Sequence, residues 1–108
     1  MKSKLLLATL AISASAHAAF WDGNSLLAAL NGTDFDQYGA LRYITGVIDQ
    51  GMESSVICPP PNLTAGQARD MVKAFLVAAP NVRHFGANSL VIYQFMQSFP
   101  CAKKGLSL

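Results

Sequence analysis

The feature that most constrains this chain is its cysteine usage. Cys58 and Cys101 are the two cysteines in 108 residues. If they are bridged, they close a loop of roughly forty residues, for which the chain-entropy model gives ~4 kcal/mol. That is comparable to the whole stability expected of so small a domain. Two buried free thiols or an intermolecular bridge are the competing readings. The choice depends on the redox compartment, and therefore on the first residues.

"MKSK" is a short basic start, and "LLLATLAISAS" is an apolar run of signal-peptide length. Ala16, His17 and Ala18 then offer an A-x-A cleavage site, with cleavage after Ala18 expected and cleavage after Ala16 the nearby alternative. The run falls short of the ~20 apolar residues a membrane span needs, and polar chain follows it. The expected organisation is a leader over 1–18 and one exported, periplasmic domain over 19–108, with no membrane insertion after cleavage. In that compartment the two cysteines read as a Cys58–Cys101 disulfide.

Losing the leader also changes the charge argument. The whole chain has eight basic and six acidic residues. Lys2 and Lys4 leave with the leader, so six of each sign remain and the domain is formally neutral. No basic stripe is left to neutralise phosphates, which argues against a nucleic-acid partner.

Hydrophobic spacing predicts helices almost throughout. Leu26, Leu27 and Leu30 share one face of a first helix, with Asn24 as its cap and Gly32 as its stop. Tyr38, Leu41, Ile44, Val47, Ile48 and Met52 mark a second, begun by Asp34 or Asp36 and ended near Gly51. Three prolines after Cys58 predict a stiff extended connector. Thr64 and Gln67 then form T-x-x-Q, a capping box in which each side chain satisfies the other's backbone amide. Met71, Val72, Phe75, Leu76 and Ala79 follow as an apolar stripe that Pro80 ends. A last helix from Phe85 or Gly86 to Ser98 directs Ala87, Leu90, Val91, Gln94, Phe95 and Phe99 inward. The fold expected is all-α, a small disulfide-stapled four-helix bundle with room for an extra short helix.

Catalytic chemistry is hard to find. The domain has one histidine, His84, and both cysteines are accounted for by the disulfide, so a nucleophile–histidine pair has no thiol to use. One histidine without a thiolate cannot build a tetrahedral metal site, and the acidic residues are scattered singly. The glycines do not form a phosphate-binding loop. The expectation is therefore no enzyme, no cofactor and no metal. Two features allow a binding role. Gly46, mid-helix, marks close approach of another backbone, either within the bundle or across a dimer interface. "AAPNVRHFG" places Asn81, Arg83 and His84 on a polar connection that either caps the last helix or protrudes as a recognition loop.

The order "RYITGVID … CPPPNLTAGQ … FLVAAPNVRHFGANSLVIYQFMQSFPC" closely resembles the Rap/Tai family of immunity proteins of bacterial type VI secretion systems. The resemblance covers about Phe20 to Cys101 and departs at Arg42, where the family pattern usually has glycine. It implies a small exported all-helical protein with one disulfide, commonly a homodimer. Such proteins protect a cell from an amidase toxin, a papain-like cysteine peptidase that cuts peptidoglycan cross-links, by blocking its cleft with a protruding segment. Gly46, Asp49, Thr64, Gln67 and Pro80 match family motif positions and read as structural. The candidate toxin-facing residues are Glu53, Ser54 and Ser55, together with Asn81, Arg83 and His84. The runner-up is an HdeA-like periplasmic acid-stress chaperone, which would expose apolar surface as its carboxylates protonate.

Overall fold

The computed structural model describes residues 20–102. The expected leader over 1–18 and the lysine pair at 103–104 lie outside them. Four helices follow in order: α1 (Gly23–Leu30), α2 (Asp34–Glu53), α3 (Ala65–Ala78) and α4 (Ala87–Ser98), with a single 3₁₀ turn, Pro80–Val82, between α3 and α4. Every helix packs on the other three. The bundle is all-α and disulfide-stapled, as the spacing predicts.

The helix starts explain themselves chemically, though not always through the residues the sequence suggests. Asp22, not Asn24, caps α1, accepting a hydrogen bond from the Ser25 amide at 2.8 Å. For α2 the cap is Thr33, upstream of both aspartates. Thr33 Oγ1 accepts from the Asp36 amide and the Asp36 carboxylate accepts from the Thr33 amide, each at 3.2 Å, a capping box with an aspartate in the third position. On α3 the Thr64 amide donates to Gln67 Oε1 at 2.9 Å and the Gln67 amide donates to Thr64 Oγ1 at 3.1 Å.

The core is an apolar cluster centred on Leu26, Ile44, Ile57, Val72, Leu76, Val91 and Phe95. On α2 the buried stripe is Ala40, Ile44, Ile48 and Gly51. Tyr38 and Met52, expected inside, are about half exposed instead (57% and 47%). Nor does Gly51 stop α2. The helix runs on to Glu53, and a Cβ on Gly51 would meet Ile92 Cδ1 at 2.8 Å and Ile57 at 3.0 Å. It is a glycine of close packing. The proline segment is not purely extended either, because the Leu63 amide donates to the Pro60 carbonyl at 3.1 Å and turns the chain into α3. On α4 the buried residues are Ala87, Leu90, Val91 and Phe95, while Gln94 is half-buried and donates to Ser98 Oγ.

Cys58 and Cys101 are bonded, with their Cα atoms 4.9 Å apart. Beside the bridge the Cys58 amide donates to the Phe99 carbonyl at 2.9 Å, so the loop leaving α2 is tied to the end of α4 twice over.

Candidate protein-binding surfaces

The connection between α3 and α4 is held down at both edges. The Arg83 guanidinium donates to the Leu76 carbonyl at 3.0 Å, supplying a donor to one of the orphan carbonyls at the end of α3. Its Nε is buried and has no hydrogen-bond partner. On the backbone side, the Arg83 and Phe85 carbonyls accept from the Asn24 and Gly23 amides, both at 3.0 Å, and the Ala87 amide donates to the Trp21 carbonyl at 2.9 Å. Asp22 and Gly86 form an isolated antiparallel bridge within this pairing. Gly23 fits there because it lacks a side chain: a Cβ would stand 2.6 Å from Leu90 Cδ1 and 2.9 Å from the Arg83 carbonyl oxygen.

This bracing divides the loop candidates. Arg83 is half-buried and serves the end of α3, whereas Asn81 and His84 are exposed. The His84 ring sits 4.3 Å from that of Phe85. Beside them opens an apolar groove of about 550 Å³ between α3 and α4, lined by Phe75, Asn81, Val82, Phe85, Leu90 and Tyr93 among others. Phe85 and Tyr93 are about half exposed, and Phe75 packs on Tyr93 with ring centroids 6.0 Å apart. Sequence reasoning missed this aromatic rim. Part of the signal was available, because Ser89 and Tyr93 lie one turn apart on a side of α4 away from its core stripe, with Phe85 just before the helix.

Glu53, Ser54 and Ser55 form the other candidate group. Ser54 closes α2: its amide donates to the Gln50 carbonyl at 3.0 Å, and its hydroxyl donates to the same oxygen at 2.9 Å. Ser55 takes a left-handed backbone conformation, φ 59°, unusual for a residue with a side chain. That turn lets Val56 and Ile57 fold back, both amides donating to the Gly51 carbonyl, which carries Ile57 into the core. All three candidates are exposed. Ser55 lies near Met96 and Cys101, at the far end of α4 from Asn81. The structure therefore does not bring the two groups together; α4 stands between them.

A second apolar groove, of about 570 Å³, runs between α2 and α4. Its floor includes Val47, Gly51, Val56 and Ile92, and Arg42 is the charged residue lining it. It passes Tyr43, Val47 and Asn88 to meet a further hollow at Trp21, whose ring stacks on Tyr43 at 5.1 Å. Burial pushes the Tyr43 phenol above its ordinary pKa, and a hydrogen bond with the Asn88 backbone pulls the other way. At the start of α1, the Ser25 amide and hydroxyl hold the Asp22 carboxyl below its usual value. Among the described residues no three His, Cys, Asp or Glu side chains gather into a group fit for a metal ion, and the longest apolar helices are too short or too polar to cross a membrane.

No curated protein and no solved structure matches the chain. A family model described as Rap1a immunity proteins matches residues 22–101, nearly all of the described bundle, from the cap of α1 to the second disulfide cysteine. On that match the chain belongs to the Rap1a immunity protein family.

Proposed function

We propose that this protein resides in the periplasm and binds and blocks a peptidoglycan-cleaving cysteine amidase delivered by type VI secretion, acting as a homodimer. The observation that carries this reading is the family match over residues 22–101. The build of the molecule suits it. A small bundle clamped by a disulfide loses little conformational entropy on docking, and preorganisation of that kind favours tight binding. Half-exposed Phe85 and Tyr93 beside Asn81 and His84 give the α3–α4 corner the mix of aromatic anchors and polar rim that protein interfaces use.

The decisive measurement is hydrolysis of purified peptidoglycan by a type VI amidase encoded beside this gene, with and without an equimolar amount of the mature protein. Loss of hydrolysis is the expected result; undiminished cleavage would remove the reading. Within it, the Asn81→Ala/His84→Ala double variant should weaken inhibition while leaving thermal unfolding unchanged. The same pair of readouts for Glu53→Ala/Ser55→Ala tests the other exposed group. Sedimentation of the free protein gives the oligomeric state.

A further inference from the structure

The α2–α4 groove has two properties that the fold itself does not require. The first is bare backbone. Gly46 lines the groove and Gly39 lies two turns before it on the same side of α2, and at either position nothing stands within 4 Å of where a Cβ would be. Glycine within a helix lowers its stability, and here no neighbour in the chain needs the space. Gly51 contrasts with them, since its missing Cβ is filled by Ile57 and Ile92. The second property is an uncompensated charge. The Arg42 guanidinium lies 5.7 Å from the Tyr38 ring centroid and donates to Tyr38 Oη at 2.8 Å, which holds it at the rim. Among the described residues the ion pair present is Arg69–Asp70, so Arg42 forms none, and no carboxylate lines the groove. A guanidinium has five N–H donors in a planar fork that fits a carboxylate.

We propose that this groove takes a segment of a partner protein that carries a carboxylate beside an aliphatic side chain, the carboxylate pairing with Arg42 and the aliphatic group lying over Gly46. Charge complementarity selects the occupant. A purely apolar segment would leave Arg42 unmatched, and a basic one would be repelled by it. A free carboxylate ion would ignore the apolar floor of Val47, Val56 and Ile92. The groove's size is that of a small-ligand or short-peptide site. This surface is separate from the α3–α4 corner and does not depend on what that corner binds.

The test uses two synthetic probes, acetyl-Leu-Glu-Leu-amide and its Leu-Gln-Leu counterpart, titrated into the ¹⁵N-labelled mature protein. The expected result is saturable movement of the Gly46, Val47 and Ile92 amide signals with the glutamate peptide. Binding should be roughly three-fold weaker or worse with the glutamine peptide, with added salt, or with Arg42→Gln. Gly46→Leu should abolish it while leaving the melting temperature equal or higher, because the new side chain starts in open space; that separates blocking from unfolding. Equal binding of the two peptides, an unaffected Arg42→Gln variant, or no movement of the groove signals would overturn the proposal. So would groove signals that shift with protein concentration alone, which would assign the face to a second copy of the chain.

Discussion

Gly46 and Gly51 lie on the same helix, yet alanine at each has opposite expected effects. At Gly46 the new methyl meets nothing, so Gly46→Ala should raise unfolding free energy by about 1 kcal/mol through helix propensity alone. At Gly51 the methyl would be forced between Ile57 and Ile92, and overpacking of that kind costs roughly 1–3 kcal/mol. Guanidinium denaturation of the two variants checks both signs at once. Asp22 carries the residue-scale response to acid. Its carboxyl is held below its unfolded value, so its contribution is present at neutral pH and fades as pH falls through the folded pKa. The described ion pair, Arg69–Asp70, is on the surface and contributes little. With no buried charged residue to protonate among those described, the helical circular dichroism should persist to about pH 3. Collapse above that pH would revive the acid-chaperone reading. Tyr43 acts at the other end of the scale: its raised pKa means that ionisation disfavours the fold, so stability should fall as pH rises above about 10.

At the scale of elements, the sharpest prediction concerns the reciprocal cap on α3. Thr64→Ala removes a hydroxyl acceptor from the Gln67 amide and should cost ~1 kcal/mol by chemical denaturation. This motif was legible because a capping box is local: its partners lie within one turn and its chemistry is written in two residue types. The Asp36 box on α2 obeys the same physics but escaped notice, since the motif is usually sought with glutamate or glutamine in third place. Asparagine caps well, so the sequence points to Asn24 for α1, but the backbone of the 83–85 loop claims the first amides of α1 and the start lies at Asp22. Such long-range backbone pairing leaves no mark in helical periodicity. The same holds for Arg83. In sequence it stands in a polar loop beside His84, and only the fold shows its guanidinium reaching back to Leu76. Arg83→Ala should therefore lower the melting temperature, whereas His84→Ala should change stability by less than about 0.5 kcal/mol. The grooves were less legible still, because each is shared between helices distant in sequence.

For the whole molecule, the Cys58–Cys101 bond clamps the exit from α2 to the end of α4 at the edge of the core. Replacing both cysteines with serine should cost up to about 4 kcal/mol, measured by denaturation, without changing the helical spectrum under native conditions. The pairing of residues 21–24 with residues 83–87 has a consequence for the order of assembly. α1 has eight residues, too few to hold a helix by itself in water. Its first two amides find their acceptors only in a strip of chain made some sixty residues later. A polypeptide emerging from its amino end therefore cannot complete this structure step by step. On this account α1 gains its full set of backbone partners only once residues 83–85 are in place.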